Sequence, residues 1–273
     1  MNPALSGLLS ALTYGVGDFL SGLASRQDSP LRVVALTHPV SAALMVALAV
    51  LTGQPMPPAS DLWWGAASGL VGLAAVLAFY RALALGPMGA VSVATGALSA
   101  AVPVVVGVLG GEVLGLWGWL GAAGVLLGTG LLSLSPRQGE AGHGVPLGLL
   151  AGVGFGCFFV LLGQATAPGV LWTLGAARLA SSLAVVPLAA LLVGLRPRAP
   201  RLIAVSVPGD ALGNLFYLLS VQGGGLALGA LLSSLYPAFT TLCAVTLLRE
   251  QLRPVQWAGV GAALAGAALL AVS

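Results

Sequence analysis

The sequence predicts an all-α integral membrane protein of ten transmembrane helices, built as two inverted five-helix repeats. Three observations predict it. The chain of 273 residues is 58% hydrophobic and only 6% charged, whereas a soluble domain carries about 25% charged residues. Its two halves bear the same landmarks at a nearly constant offset. Its arginines fall in alternate loops.

Composition sets the solvent. So few charges cannot cover a water-exposed surface, so lipid must surround the chain. Helices suit that solvent because they satisfy their own backbone groups. All ten basic residues are Arg and none is Lys. A Lys-free chain rich in Gly, Ala and Leu fits a GC-rich bacterial genome, and so a bacterial cytoplasmic membrane. The net charge of +3 is spread over many loops, which does not suggest a nucleic-acid partner. Cys157 and Cys243 stand in separate apolar stretches and form neither a disulfide framework nor a metal site. The first apolar stretch lacks a basic leader and contains Asp18. It reads as a first span rather than a cleaved signal peptide.

The duplication runs through the chain. Gly7-Leu8-Leu9 recurs as Gly148-Leu149-Leu150, Gly15 and Gly22 as Gly156 and Gly163, and Ser41 and Gly53 as Ser182 and Gly194. Phe79-Tyr80 recurs as Phe216-Tyr217, and Glu112, Trp119, Gly121 and Gly128 recur as Glu250, Trp257, Gly259 and Gly266. The offset drifts only from 141 to 137 and 138. The units expected are 1–137 and 144–273, joined by the polar segment Ser135 to His143. Five spans is an odd number, so the second copy enters the membrane upside down. That is the inverted-topology repeat of many secondary transporters.

Apolar stretches of roughly span length occur at about 4–24, 31–52, 62–84, 88–109, 113–134, 146–166, 170–194, 203–221, 226–247 and 253–272. Pro and Gly punctuate the turns, as in Gly53-Gln-Pro-Met-Pro-Pro58 and Gly223-Gly-Gly225. Arg26, Arg32, Arg81, Arg137, Arg196, Arg198, Arg201, Arg249 and Arg253 lie at the odd-numbered loops, and the even-numbered loops have none. The positive-inside rule then puts the odd loops in the cytoplasm and both termini outside. Trp63, Trp64, Trp117, Trp119 and Trp172 mark the even-loop interface and Trp257 the opposite one, as an aromatic belt.

Gly121, Gly124 and Gly128 on span 5, with Ala262 and Gly266 on span 10, form small-residue stripes that allow close helix packing. The same stripes leave a homodimer open. Pro39, Pro103, Pro187 and Pro237 interrupt spans 2, 4, 7 and 9, which correspond between repeats. They suit either bending elements or static curvature.

Ionisable groups within a span are costly and normally face a cavity or a partner. Asp18 stands two-thirds along span 1, in Thr13-Tyr14-Gly-Val-Gly-Asp18, and its repeat-mate is Phe159. It reads as a protonation or substrate-amine site, against a paired carboxylate near the interface. Asp210, Asn214 and Tyr217 share one face of span 8 as a polar stripe suited to a cavity wall. Arg178 in span 7 would neutralise Asp210 or Asp18, or reach for headgroups. His38 beside Pro39 reads as hydrogen-bonded structure. Tyr14, Tyr80, Tyr217 and Tyr236 either line a pore or pack in the core. Glu112 and Glu250 sit just ahead of spans 5 and 10, where an acid caps the free amides of a helix N-terminus. No nucleophile, metal or nucleotide-binding motif occurs, so neither an enzyme nor a cofactor is expected.

Five segments stand out: Tyr14-Gly-Val-Gly-Asp-Phe-Leu-Ser-Gly-Leu-Ala-Ser-Arg26, Tyr80-Arg-Ala-Leu-Ala-Leu-Gly-Pro87, Ser233-Ser-Leu-Tyr-Pro237, Leu247-Leu-Arg-Glu-Gln-Leu252 and Gln256-Trp257. Together they resemble the EamA family of the drug/metabolite transporter superfamily. The first repeat departs from the last pattern. It has Gly111-Glu112-Val113 without an adjacent Arg, and Pro103 stands nine residues before the Glu instead of thirteen. The resemblance implies a ten-helix basket with a central cavity lined mainly by spans 1, 3, 4, 6, 8 and 9. It implies movement of small metabolites, often amino acids or related solutes, frequently outward. The expected mechanism is alternating access around Asp18, Asp210, Asn214 and Tyr217, with Tyr14 and Tyr80 lining the cavity and protons as a candidate coupling ion. A passive channel and a non-transporting scaffold are the competing readings.

Overall fold

The structure, a computed structural model, describes residues 2–109, 115–133, 144–165, 167–233 and 235–271. Glu112 and the whole joint from Ser135 to His143, Arg137 included, lie outside the described residues. The helices are α1 (Pro3–Gln27), α2 (Pro30–Leu51), α3 (Ala59–Leu85), α4 (Met88–Leu109) and α5 (Leu116–Ser133) in the first half. In the second they are α6 (Gly144–Leu162), α7 (Val170–Leu192), α8 (Pro200–Ser233), α9 (Tyr236–Leu247) and α10 (Pro254–Ala271).

Local chemistry sets the ends. Proline opens α1, α2, α8 and α10, where its missing N–H would be unpaired anyway. Asn2 caps α1 by accepting the Ala4 amide at 2.9 Å, and Gln256 Oε1 reaches back to the Arg253 amide at 3.0 Å. Gly53 and Gly194 follow α2 and α7 with φ of +62° and +71°. They are repeat-mates, so duplication carried over the left-handed glycine that ends these helices.

Helix bounds and the course of the chain diverge at the junction of spans 8 and 9. Helical hydrogen bonding continues through Gly223–Gly225 to Ser233, and α9 holds only twelve residues, starting at Tyr236 beside Pro237. Yet α8 is not a straight rod. A methyl on Gly7 would meet both Ser220 Oγ at 3.0 Å and Leu232 Cβ at 2.6 Å. Residues twelve apart on a straight helix lie ~18 Å apart. The chain therefore turns back between Ser220 and Leu232, the interval that holds the turn expected at Gly223-Gly-Gly225.

Helix directions follow the inverted repeat. From the first residue to the second of each pair, α1 runs antiparallel to α8 (Gly17 on Gly209, Gly7 on Ser220) and α3 antiparallel to α6 (Gly72 on Phe158, Gly154 on Ala75). The α3–α7 pair is parallel, with Gly65 on Thr173 and Gly69 on Ala177. The α4–α6 pair is also parallel, with Gly148 on Val91 and Gly152 on Thr95. Exchanging the halves maps α1–α8 onto α6–α3, α1–α9 onto α6–α4, and α2–α8 onto α7–α3, all of which are packed pairs. It maps α2–α7, α4–α9 and α5–α10 onto themselves. The small-residue stripes serve that last pair: Gly124 packs on Gly266, and Gly128 on Ala263 and Gly259.

The outer surface is apolar, with Leu51, Leu109 and Leu191 all more than 80% exposed. Among the described residues α2, α3, α6 and α7 are long and apolar enough to cross a membrane by length and composition alone. Trp63, Trp64, Trp117, Trp119 and Trp257 are exposed as a belt requires. Trp172 differs: its indole N–H is committed to the Gln54 carbonyl at 3.0 Å.

Candidate solute site

Arg178 of α7 and Asp210 of α8 form an ion pair at 2.6 Å. The other Asp210 oxygen accepts the Ser41 hydroxyl of α2 at 2.6 Å. One turn along α8, the Asn214 amide donates to the Asp210 carbonyl at 2.6 Å and to Oδ1 at 3.3 Å. The face shared by positions 210 and 214 is thus a single hydrogen-bonded unit. The two charged side chains keep 17% and 21% of their surface, so they border open space rather than packed core.

Glycines set the level of this site. A methyl on Gly17 would stand 2.7 Å from Gly209 Cα, so the α1 and α8 backbones touch there. Asp18 follows one of these glycines and Asp210 the other, which brings both acids to the same contact. Pro208 lies inside α8 just before it, where it removes a backbone donor. A turn further on, Gly213 gives way to the Tyr14 ring, whose Cδ1 would lie 2.5 Å from an added methyl.

Asp18 is half-buried and lies within Coulombic reach of Asp210 and Arg178. Tyr14, Tyr80 and Tyr236 are within the same reach of Asp18, and Tyr217 is close to Tyr14. The seven residues singled out in the sequence, Tyr14, Asp18, Tyr80, Arg178, Asp210, Asn214 and Tyr217, therefore converge on one region, drawn from α1, α3, α7 and α8. Tyr236 joins them from the first turn of α9.

Sequence reasoning missed Ser41 and Ser181 as members. His38 Nδ1 and Ser181 Oγ are 2.9 Å apart, and Ser181 and Ser182 both donate to the Arg178 carbonyl. Ser41 and Ser182 are the repeated serine pair; Ser41 bonds the Asp210 carboxylate, and Ser182 bonds the Arg178 backbone carbonyl within its own helix. That recurrence was the available signal.

The sequence placed Glu250 as a cap on span 10, and this needs correction. Its carboxylate accepts the Met88 amide at 2.9 Å and the Gly89 amide at 3.3 Å, so it caps α4 of the other repeat. Arg26 stands 3.6 Å from it and also donates to the Gly86 carbonyl at 3.0 Å. Arg249, with φ of 54°, and the Glu250 amide, bonded to the Ala244 carbonyl at 3.2 Å, form the turn that aims the carboxylate.

Two further latches tie the halves together. Asp28 pairs with Arg32 and accepts the Arg198 amide at 2.7 Å, and Arg32 donates to the carbonyls of Val193 and Gly194. On the even-loop face, Gln54 accepts the Leu171 amide at 3.1 Å and Asp61 the Ala167 amide at 2.8 Å. These bonds join odd loops to odd and even loops to even, as a ten-span topology demands. Among the described residues no group of three His, Cys, Asp or Glu side chains could hold a metal ion.

A family model, the EamA-like transporter family, matches residues 1–134 and again 142–272. The chain belongs to the EamA-like transporter family. It is a multi-pass membrane protein of a family of small-solute transporters, whose members are not enzymes. Fourteen chains of solved structures match it. One, a crystal structure of a protein, aligns with a TM-score of 0.60 at 18% identity, over 98% of this chain and 95% of that one. At that identity the likeness concerns the fold alone. No curated protein matches the chain.

Proposed function

We propose that this EamA-family chain is a secondary transporter of small organic metabolites, working as an exporter or exchanger by alternating access in a bacterial cytoplasmic membrane. The repeats would run 1–137 and 144–273. One observation carries the reading: half-buried charged side chains from both halves, Asp18 and the Arg178–Asp210 pair, lie within Coulombic reach of one another. Membrane-embedded charge is retained at such cost chiefly where a solute or ion must be bound.

In this reading Asp18 is the protonatable or solute-binding carboxylate. Asp210, held by Arg178 and Ser41, orients Asn214 and keeps the α8 wall polar. Tyr14, Tyr80 and Tyr217 supply amphipathic rings around the path. Arg26, Glu250 and the α4 N-terminus form a cytoplasmic gate, because opening that face would separate Glu250 from the α4 amides it caps. Amino acids and related solutes are the first to try, with protons as the coupling ion.

The test is uptake of a metabolite panel by proteoliposomes, with and without an imposed pH gradient. A carrier shows saturable uptake, trans-stimulation in counterflow and, if proton-coupled, acceleration by the gradient. Uptake without trans-stimulation would favour a channel, and no uptake above protein-free vesicles would contradict transport.

A further inference from the structure

The charges at the candidate site do not balance. Asp210 is neutralised by Arg178 at 2.6 Å, and its second oxygen is taken by Ser41. Asp18, by contrast, has no hydrogen bond or ion pair among the described residues. His38 contacts Ser181, whose own proton goes to the Arg178 carbonyl. With both carboxylates ionised, two carboxylates and one guanidinium would leave the region one negative charge in excess. An uncompensated carboxylate away from water is costly, so Asp18 either holds a proton or pairs with a cation from outside the chain.

The surroundings of Asp18 agree. Tyr14, Tyr80 and Tyr236 stand within its Coulombic reach from three different helices, and aromatic rings attract a cation through their quadrupoles. Arg178, the guanidinium within Coulombic reach of Asp18 among the described residues, is already committed to Asp210 and is not free for an anionic group. A solute carboxylate would have to displace Asp210 from Arg178 or lie unpaired beside Asp18.

We infer that the space beside Asp18 binds a small organic ammonium ion and disfavours the same molecule carrying a carboxylate. This rests on the solute-site reading above, but it fixes the sign of the solute. An amino acid, with both groups, is then a poorer ligand than its decarboxylated amine.

Three probes of one carbon skeleton test it: isopentylamine, leucine and isopentyl alcohol. They present an ammonium alone, an ammonium with a carboxylate, and neither. Calorimetric titration of the detergent-solubilised full chain should find isopentylamine at least about tenfold tighter than the other two, with the preference lost in Asp18→Asn. Should that variant fail to fold, the wild-type protein still answers. Dicyclohexylcarbodiimide should label Asp18 and spare Asp210, and isopentylamine alone should slow the labelling at least about fivefold, read by mass spectrometry of the Asp18 peptide.

Leucine binding as tightly as the amine overturns the inference. So does absence of amine binding, or labelling that the amine leaves unchanged. Saturable uptake of other panel solutes, with no advantage for amines, would overturn the cation site and leave the transport reading standing.

Discussion

The Glu250 carboxylate lies 2.9 Å from the Met88 amide, so the joint that opens the last helix of the second repeat caps a helix of the first. Two α4 amides depend on it, because Gly89 is bonded as well. Removing a helix cap costs about 0.5–2 kcal/mol. Glu250→Ala should therefore lower thermal stability in detergent by an amount in the upper part of that range, since the Arg26 contact goes too. Glu250→Gln should lose less, because an amide oxygen still accepts. Equal stability of Glu250→Ala and wild type would show that the contact carries no weight.

Arg249 holds φ at 54°, a region glycine occupies without penalty and other residues do not. Arg249→Gly should relieve up to about 1 kcal/mol of strain while preserving the turn that aims Glu250. Denaturant titration in mixed micelles reads the difference. A destabilisation of similar size would mean that the Arg side chain does more than fill the turn.

The Arg178–Asp210 pair should behave as a coupled unit. Breaking a buried pair from one side costs about 3–5 kcal/mol, and the partial exposure of both side chains brings the expectation here to the lower end. Arg178→Met strands a carboxylate and should be the harsher change. The double variant Arg178→Met with Asp210→Asn should recover part of that loss in a thermodynamic cycle. Additive losses would indicate two independent side chains.

Close helix contacts make a sharper contrast. A methyl on Gly69 would lie 2.0 Å from the Ala177 carbonyl oxygen, whereas Gly261 has nothing within 4 Å. Gly69→Ala should force α3 and α7 apart and cost several kcal/mol or prevent folding, in line with overpacked cores. Gly261→Ala should stay within about 1 kcal/mol of wild type. Comparable expression and melting of the two variants would contradict the α3–α7 packing.

Much of this was legible in the chain itself, and the exceptions share a cause. Span count and the sharing of one face by alternate loops follow from the spacing of apolar residues and arginines, both one-dimensional signals. Asp18, Arg178 and Asp210 stand out in the chain because charge within a span is rare, whereas the placing of Tyr14, Tyr80, Asn214 and Tyr217 near them belongs to the folded structure. Ser41 and Ser181 were not, since a serine in an apolar helix usually bonds its own backbone and its neighbour on another helix leaves no local trace. Glu250 carried the right chemistry but the wrong partner. A cap looks local in sequence, and here the amides it satisfies lie 162 and 161 positions away. The turn expected at Gly223-Gly-Gly225 falls in the interval where the chain reverses beside Gly7, although α8 is bounded only at Ser233.

The most direct measurement is counterflow of a transported panel solute in proteoliposomes carrying wild type or Asp18→Asn at matched reconstitution. The account predicts trans-stimulated flux for wild type and flux at the protein-free background for Asp18→Asn, with both proteins equally folded in detergent. Wild-type flux in Asp18→Asn would contradict it.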